Sequence, residues 1–555
     1  MKYFSTHNEF MSCFLSISIE EREKLDKFLD ILDESGVGKI IEKELNNSNE
    51  TRGRKPFNPY KLFAAIIYGF SKHSGSLRKI EESINFDLRF IYLMEEAHPS
   101  YVTISKFLNN VVVKNQREIF SCIVQYILKK YNISFADVFV DGTKLEANAN
   151  KYKFVWRPTT HKKRLNANAK TLLEKYFSIP ESKNSFVPKE LGEYLSSLEL
   201  IIKNQNLLLK TGKGIRSPQI VKDYFLLSKF LIKSLEYEEK EHNCGPYRNS
   251  YFKTDIDATA MCLKEDYYSG LGSNMHAGYN VQIAVSKGII LDYYVCQERN
   301  DINTFIPFMN IFKEDYGIFP KNICADAGYG SIENYLFLNS NNINNFVKPL
   351  SWQQEMDGKS IPLYRIENNV VYCLNNKVAI ECEKYLSFHI KRKTHKLYVV
   401  ENCKRCKYKQ VCRQKLKYKK ANFRVFEFSK EYALLKEQAM YNLLSPKGIE
   451  MRVNRSSQVE GAFGVIKQDM DYERVRRRGL DNVSCEIMLV CLGYVIRKLF
   501  LLIENKANLD YWKAPENLSN ETRPSSINIK RILSERTIGL NEKLRNKYKR
   551  KPIRT

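Results

Sequence analysis

The sequence predicts an α/β protein in which an all-α region, residues 1–135, precedes a sheet-forming core. Two observations predict this class. Before residue 135, apolar residues recur at helical spacing, as they do at 60–70, 77–84 and 104–113. After residue 135, short runs rich in β-branched and aromatic residues indicate strands at 136–141, 278–285, 289–296 and 323–326. Strands that alternate with helical segments are typical of an α/β fold.

The helices predicted in the amino-terminal region are short and separated by turn signals, which is typical of a helix-turn-helix module. Residues 52–56 form a basic lead-in, and the polar positions of the last helix carry Lys106, Asn109 and Lys114. Side chains of these types reach phosphates and base edges in DNA-binding proteins. Lys106 and Asn109 are therefore candidate DNA-binding residues, and an ordinary solvated helix face is the alternative.

The first strand of the core is predicted to end at Asp141, because the dipeptide Asp141-Gly142 is a common turn. A Lys-rich helical pair is expected as an insertion over residues 157–249. The runs 278–285 and 289–296, joined by Lys287-Gly288, predict a β-hairpin.

Two polar residues of this hairpin share one face of its first strand. Asn280 and Gln282 alternate with apolar neighbours, so they are expected to face either DNA or solvent. A helix at 303–314 and a strand that ends at Asp326 follow the hairpin.

The alternation of strands and helices is interrupted at residues 346–439, which have mixed short strands, many basic residues and a cysteine cluster. This change predicts a second insertion. Helical periodicity returns at 456–470, where Glu460 lies in the first turns, and again at 485–503. The latter segment contains Arg497-Lys498 and is too short to span a bilayer, so we expect a buried helix. Residues 506–555 are predicted to form a basic C-terminal tail.

Charge is the unusual feature of the composition. The 555 residues include 89 Lys and Arg against 63 Asp and Glu, which gives a net charge of +26. Such a balance implies a polyanionic partner, with nucleic acid ahead of an anionic membrane surface. The sequence has neither a phosphate-binding P-loop nor a dinucleotide-binding glycine motif, so NTP hydrolysis and dinucleotide binding have no support. No signal peptide or membrane span is predicted, and a cytoplasmic, nucleoid-associated protein is expected.

Three carboxylates have distinctive settings: Asp141 and Asp326 at predicted strand ends, and Glu460 on a helix. Two strand ends and a helix can converge on one point. Mg²⁺ and Mn²⁺ prefer oxygen ligands, and two such ions can activate a nucleophile and neutralise a phosphate during in-line displacement. Asp255 and Asp257 compete with Asp326 for the second position, because they too adjoin an apolar segment.

The order of these elements is that of an RNase H-like fold, with a core at 136–156, 250–345 and 440–505. The residues also resemble a family, the DDE transposases of bacterial insertion sequences. The similar segments are Val140–Asn150, Asp255–Ala258, Gly278–Gln282, Ala325–Tyr329 and Val459–Lys467. Three amino-terminal segments resemble the helical domain that precedes the catalytic core in that family: Gly53–Phe57, Ser76–Ile80 and Thr103–Phe107.

The resemblance implies that Asp141, Asp326 and Glu460 bind two Mg²⁺ or Mn²⁺ ions. Lys467 follows Glu460 by two α-helical turns, so both side chains are expected on one face, with the lysine on a DNA phosphate. The family pattern often has Tyr and Arg shortly before the Glu, and here Arg452 and Arg455 are the candidates for DNA contact. A basic run is expected to add phosphate contacts beside the site: Arg474, Arg476, Arg477 and Arg478.

Four cysteines are candidate ligands of one structural zinc ion: Cys373, Cys403, Cys406 and Cys412. Cys382, His389 and His395 are substitute ligands. Free thiols in a basic insertion are the alternative.

These features together predict a transposase that cleaves insertion-sequence ends and joins them to target DNA. Its partners are the double-stranded terminal repeats and the target DNA, and two element ends favour a dimer or a larger assembly. Two alternatives stay open: a catalytically inactive DNA-binding relic or repressor, and a metal-dependent nuclease without strand transfer.

Overall fold

The computed structural model describes residues 17–47, 57–73, 75–95, 97–212, 216–246, 248–263, 275–357, 363–382, 395–409, 412 and 422–515. The basic lead-in 52–56, His389 and the tail beyond residue 515 lie outside the described residues. The chain divides into two compact units. Unit 1 comprises Met1–Thr143, Asn280–Glu473 and Asp481–Thr555, and unit 2 comprises Lys144–Tyr279 and Arg474–Leu480. The predicted domain boundaries remain predictions.

The described part of the amino-terminal region is helical, as predicted. Its helices are α1 (Ile19–Ser35), α2 (Val37–Asn47), α3 (Pro59–Lys72), α4 (Leu77–Phe86), α5 (Leu88–Met94), α6 (Tyr101–Phe107) and α7 (Val113–Lys130). A π-helical turn, Leu108–Val112, joins α6 to α7. Helix α3 begins where the Asn58 side chain accepts from the Tyr60 and Lys61 N–H groups, with Pro59 at the first helical position.

The middle of the chain alternates strands with helices. The elements are β1 (Asp137–Glu146), β2 (Phe154–Trp156), α8 (Thr159–Leu173), α9 (Pro188–Asn204), α10 (Gln219–Cys244), β3 (Ser250–Phe252), β4 (Thr259–Cys262), β5 (Met275–Ser286), β6 (Ile289–Cys296), α11 (Phe305–Tyr316), β7 (Asn322–Ala325), α12 (Ile332–Ser340) and β8 (Asn344–Val347).

The last part of the described chain contains a second sheet and then helices. The elements are α13 (Trp352–Met356), β9 (Tyr364–Glu367), β10 (Val370–Cys373), β11 (Val378–Glu381), β12 (Lys396–Val400), β13 (Arg424–Phe428), α14 (Lys430–Leu444), α15 (Pro446–Arg455), α16 (Gly461–Gly464) and α17 (Leu480–Ile503). Two π-helical turns, Ser456–Glu460 and Val465–Asp469, flank α16.

The main sheet of unit 1 has its strands side by side in the order β6, β5, β1, β7 and β8. Strands β5 and β6 form the predicted antiparallel hairpin. Strand β7 runs parallel to both β1 and β8. Because parallel strands share one direction, the residues that follow the paired parts of β1 and β7 emerge at the same edge of the sheet.

Helix α17 is the apolar segment near the end of the chain, and it is buried over most of its length, as predicted. A Cβ at Gly493 would lie 2.7 Å from the Phe70 backbone, so only glycine allows α17 to approach α3 this closely. Among the residues that the structure describes, no helix has the length and apolar character needed to cross a membrane.

Unit 2 contains the helical insertion. Helices α8, α9 and α10 pack around a shared apolar cluster, so the described part of residues 157–249 holds three helices, and the predicted pair is wrong. The prediction missed α8 because its surface is Lys-rich, although Leu165, Ala169 and Leu172 are buried at helical spacing. Strands β2 and β3 pair with each other, and β4 pairs with the first residues of β5.

The second sheet lies in unit 1, within the predicted insertion 346–439. Its strands run antiparallel in the order β13, β12, β11, β10 and β9. A small apolar cluster on this sheet includes Val371, Cys373, Val400 and Phe426.

Candidate active site

Asp141 and Asp326 are neighbours across two parallel strands of unit 1. The last paired residues of β1 and β7 are Val140 and Ala325, which lie opposite each other. Asp141 directly follows Val140, and Asp326 directly follows Ala325. The strand predicted to end at Asp326 is present, and it ends one residue earlier, at Ala325. The prediction that Asp141 ends a strand is wrong, because β1 continues through it to Glu146.

Gly142 explains why β1 continues past Asp141. Its role is to let β1 and β5 pack closely together, and it does not form a turn. A Cβ at this position would lie 2.3 Å from Nε2 of Gln282, on the neighbouring strand β5. Real Cβ atoms do not come this close to another heavy atom, so a larger residue would displace Gln282. The Gly142 N–H also donates to Oδ1 of Asp141 at 2.9 Å, which fixes that carboxylate.

The polar residues of β5 form a buried network beside Asp141. Asn280 and Gln282 are fully buried, so the prediction that they face DNA or solvent is wrong. Their side-chain amides donate to Oδ1 of Asp301 at 2.8 and 3.2 Å, and the Tyr329 hydroxyl donates to Gln282. Buried amides require such partners, which period-two alternation in the sequence cannot reveal.

Arg455 links two of the three predicted carboxylates. Its guanidinium donates to Oδ2 of Asp141 at 2.9 Å and to Oε1 of Glu460 at 3.2 Å. The Ser456 hydroxyl donates to the other Glu460 oxygen at 2.8 Å. Side-chain exposure is 8% for Arg455, 19% for Asp141 and 55% for Glu460, so the bridge extends from the protein interior to solvent.

The electrostatics of the two aspartates differ. Burial raises the pKa of Asp141 above its usual range, Arg455 and the Gly142 N–H oppose this, and the charges of Asp326 and Asp301 add to it. Burial also acts to raise the pKa of Asp326, but the Ala327 N–H, Arg455 and Lys348 together hold that pKa below its usual range. Lys348 lies 3.5 Å from an Asp326 oxygen. The site is therefore an acidic cluster that Arg455 and Lys348 partly neutralise.

The donor set of this cluster fits a hard divalent cation, because carboxylate oxygens are the ligands that Mg²⁺ and Mn²⁺ prefer. Asp326 and Glu460 are about half exposed, at 51% and 55%, and so are accessible to an ion. Among the described residues, however, no three His, Cys, Asp or Glu side chains are arranged to hold a metal ion as they stand. A metal ion would therefore bind these carboxylates only after their side chains move.

The other basic residues near Glu460 have different settings. Arg452 donates to the Leu443 carbonyl at 3.1 Å and stacks over Trp352, so it supports the packing between helices. Lys467 is half-buried on the π-helical turn Val465–Asp469. The prediction that Glu460 and Lys467 lie on one helix face assumed a regular α-helix. The π-helical turns change the angle between these two side chains about the helix axis. The DNA-contact role of Lys467 remains a prediction.

Asp255 and Asp257 belong to unit 2 and hold its backbone there. Asp255 is buried and accepts from the Tyr279 hydroxyl at 2.8 Å and from the Gly479 N–H at 3.2 Å. Asp257 accepts from the Leu480 N–H at 2.9 Å. Asp257 therefore orients the backbone at Leu480.

The basic run at residues 474–478 is also part of unit 2. Arg474 lies 3.7 Å from a Glu146 carboxylate oxygen, and Arg478 donates to the Asn148 carbonyl at 2.8 Å. The Asn148 amide donates to the Arg476 carbonyl at 2.7 Å. Glu146 and Asn148 thus support this segment, while DNA contact by Arg474, Arg476, Arg477 and Arg478 remains a prediction.

Lys106 and Asn109 lie in the amino-terminal helical region, on α6 and on the π-helical turn that follows it. Both residues are exposed, which a DNA-binding role requires. Lys114, on the same predicted polar face, is paired with Glu44 at 2.6 Å.

The four predicted zinc ligands are brought together in the structure. Cys373, Cys403, Cys406 and Cys412 line one small cavity beside the second sheet. The residues that line this cavity are different from those of the carboxylate cluster, and they offer thiols as ligands, whereas the cluster offers carboxylate oxygens.

Comparison with known protein families gives two matches. A model described as a transposase DDE domain matches residues 373–500, and a model described as a transposase domain (DUF772) matches residues 15–110. The first match contains Arg455, Glu460 and Lys467, and the second contains Lys106 and Asn109. A search of curated proteins found no match. A match to a transposase DDE domain that follows a match to an amino-terminal transposase domain supports an insertion-sequence DDE transposase, and such a family implies an enzyme that acts on DNA.

Proposed function

We propose that this transposase cleaves the ends of its insertion sequence and joins them to target DNA by metal-dependent phosphoryl transfer. One observation carries the proposal: the register of β1 and β7 sets Asp141 beside Asp326, and Arg455 bonds both Asp141 and Glu460. The proposed catalytic core is RNase H-like. The order of elements supports it, since the Asp141 strand, a hairpin, a helix, the Asp326 strand and the Glu460 helix follow one another.

Asp141, Asp326 and Glu460 are the residues that would hold two Mg²⁺ or Mn²⁺ ions. When bound, such ions supply Lewis-acid activation of the attacking oxygen and neutralise charge on the phosphate and the leaving oxygen. The protein contributes the placement of the ligands. The Gly142 N–H and the buried network behind β5 restrict Asp141, whereas the exposed Asp326 and Glu460 side chains can adjust.

Two displacements at phosphorus complete the proposed reaction. In the first, a water oxygen bonds to phosphorus at the element end and loses a proton to solvent, while the bond from phosphorus to the 3′ oxygen breaks and that oxygen takes up a proton. In the second, the freed 3′-hydroxyl attacks a target phosphodiester and loses its proton to solvent, while the target 3′ oxygen leaves and takes up a proton. No external energy source is needed, because each phosphodiester formed in joining replaces one that is broken.

DNA placement is assigned to basic and polar groups outside the carboxylate cluster. We propose that Lys467 and Arg455 contact phosphates near the cut, that the run at 474–478 adds contacts, and that Lys106 and Asn109 contribute to recognition of the element end. The net charge of +26 supports this assignment, because phosphate contacts dominate protein–DNA affinity. Two element ends react in one event, so a dimer or larger assembly is proposed for the synaptic complex.

The decisive experiment incubates the full chain with labelled DNA that carries the ends of its own element, Mg²⁺ and a target plasmid, and then maps the products. Asp141→Asn, Asp326→Asn and Glu460→Gln should each lose both cleavage and joining while DNA binding is retained. Each change removes one ligand charge and preserves the shape of the side chain. The matched control is Asp257→Asn, which should still cut, because Asp257 serves the backbone of unit 2.

Each alternative outcome has a distinct meaning. Binding without cutting by the unchanged protein would indicate a DNA-binding relic or repressor. Cutting without joining would indicate a nuclease. If Asp326→Asn cuts and Asp257→Asn does not, the proposed second carboxylate is wrong.

A further inference from the structure

Four cysteines from separate parts of the second sheet surround one cavity of about 20 Å³. Cys373 is the last residue of β10, while Cys403, Cys406 and Cys412 lie between β12 and β13. A cavity of this size accommodates a single small atom and excludes an organic ligand. We propose that Cys373, Cys403, Cys406 and Cys412 bind one structural zinc ion there. This proposal does not depend on the transposase chemistry.

Backbone hydrogen bonds form two tight turns that carry the thiols. In the first, the Cys373 N–H donates to the Lys377 carbonyl, and the Asn376 N–H donates back to the Cys373 carbonyl, both at 2.9 Å. This turn connects β10 to β11. A cysteine at the start of such a turn is held in place by the sheet itself.

The second turn carries Cys403 and Cys406. The Cys406 N–H donates to the Cys403 carbonyl at 3.4 Å, and the Cys403 N–H is bonded to the Asn422 carbonyl at 2.8 Å. The Asn422 side chain accepts from the Lys404 N–H at 2.9 Å, which closes the turn from the other side. Two cysteines separated by two residues in a tight turn are the usual half of a structural zinc site.

The chemistry around the cavity favours zinc. Thiolates are soft ligands, and four of them in tetrahedral arrangement select zinc or an iron–sulfur centre, whereas carboxylates, which hard cations require, do not line this cavity. Zinc with four thiolates carries a net charge of −2. Lys409 and Arg424 also line the cavity, and their positive charges offset that excess.

The thiols lie around the cavity without forming a closed coordination sphere, since no three such ligands in the described residues are arranged for a metal ion. Cys403 donates its thiol proton to the Val400 carbonyl at 3.4 Å. Rotation about the single Cα–Cβ bond of each cysteine redirects its sulfur without moving the backbone. Zinc binding would replace the thiol protons, as it does at other cysteine sites.

The position of the site indicates its role. The apolar cluster of the second sheet is small, and Cys373 belongs to it, while Cys403 packs against it. Small cores generally need a cross-link to be stable. A zinc ion would join the β10–β11 turn to the connection between β12 and β13, and so hold both halves of the sheet together.

The structure also separates these cysteines from the substitute ligands. Cys382 packs against a different cluster, formed by Leu397, Val399 and Val425. Neither Cys382 nor His395 lines the cavity. Cys382 is therefore a matched control, because it lies in the same region and is the same residue type.

The test measures the zinc content of the full chain, purified without chelator and dialysed against excess Mg²⁺ to clear weak carboxylate sites. We expect about one zinc per chain. The double variant Cys403→Ser/Cys406→Ser should lose this zinc, and Cys382→Ser should keep it. Absence of zinc from the unchanged protein, or retention of zinc by the double variant, would overturn the proposal.

A second measurement works even if the double variant does not fold. Titration of the unchanged protein with a mercurial reagent should release one zinc as four protected thiols react. Release unconnected with thiol modification, or iron with a visible absorption band in place of zinc, would also overturn the proposal. These readouts do not involve DNA, so a zinc-loaded protein that fails to cut would contradict only the proposed function.

Discussion

The Arg455 guanidinium donates to the Asp141 carboxylate at 2.9 Å, with both side chains largely shielded from solvent. Its second terminal nitrogen reaches Glu460. The positive charge of Arg455 thus lies among the carboxylates that the proposed metal ions require. We expect Arg455 and a divalent ion to compete for the same oxygens, so that Arg455 stabilises the cluster until metal and DNA bind.

Replacement of Arg455 should make stability more dependent on metal. Arg455→Met should lower the free energy of unfolding in chelator by about 2 kcal/mol, because it removes charge-assisted hydrogen bonds and leaves like charges together. Mg²⁺ should raise the melting temperature of this variant more than that of the unchanged protein. Arg452→Met is the control, since Arg452 contacts a carbonyl and a ring. Equal Mg²⁺ responses in all three proteins would contradict the competition.

Loss of Lys467 should weaken DNA placement and leave metal binding intact. Lys467→Ala should raise the DNA concentration needed for half-maximal nicking about tenfold, the effect of one charge-assisted contact. Extra Mg²⁺ should not restore the rate, whereas Glu460→Asp, which shortens a metal ligand, should be partly restored by Mn²⁺. Nicking rates measured against metal and DNA concentrations distinguish a defect in DNA placement from a defect in metal binding. Recovery of Lys467→Ala at high metal, with DNA affinity unchanged, would assign Lys467 to the metal site.

DNA binding should weaken steeply with salt, because phosphate contacts release counterions. Six such contacts correspond to a slope of about −5 in log affinity against log salt. Lys106→Ala should make the slope shallower by about 0.9. Lys114→Ala should change it less, because Lys114 is already paired with Glu44. An unchanged slope in Lys106→Ala would remove this lysine from the interface, and a slope near zero for the unchanged protein would exclude DNA as the partner.

A buried ion pair should make a large contribution to the stability of unit 1. Arg117 on α7 donates to Asp292, a fully buried residue of β6, at 2.6 Å. Arg117→Met should lower the free energy of unfolding by about 3–5 kcal/mol, because it leaves a buried carboxyl without its partner. Lys130→Met, on the same helix, should change it by less than about 1 kcal/mol, since the Lys130–Glu34 pair is exposed. Similar melting temperatures for the two variants would contradict this ranking.

The same pair predicts a pH dependence. Burial raises the pKa of Asp292 to about 7, even though Arg117 lowers it. A carboxyl whose pKa is raised by folding reduces stability as pH increases from its unfolded value towards its folded value. Without Arg117 that folded pKa rises further, so the deficit of Arg117→Met should be larger at pH 8 than at pH 5. Chemical unfolding at pH 5 and pH 8 measures the loss of unfolding free energy in Arg117→Met. A larger loss at pH 5 would contradict the raised pKa assigned to Asp292.

Local sequence patterns were enough to predict several elements of the fold. The helices before residue 135, the hairpin of β5 and β6, the strand that precedes Asp326 and the buried helix α17 follow from periodicities of 3.6 and 2. These patterns suffice because burial of one face leaves its signature within a few neighbouring residues. The candidate carboxylates were found in the same way, since Asp and Glu at such positions are chemically distinctive.

How these residues meet depends on contacts between distant segments of the chain. The extension of β1 past Asp141, the need for Gly142 beside Gln282 and the burial of Asn280 depend on strands far apart in the chain. Local periodicity carries no information about such partners. The different settings of Arg452 and Arg455 likewise depend on tertiary contacts, because Arg455 reaches Asp141 and Glu460 whereas Arg452 reaches the Leu443 carbonyl. Hydrogen bonds and ion pairs between distant segments form only when strand register and helix packing set their distances, and so the geometry of the site belongs to the fold.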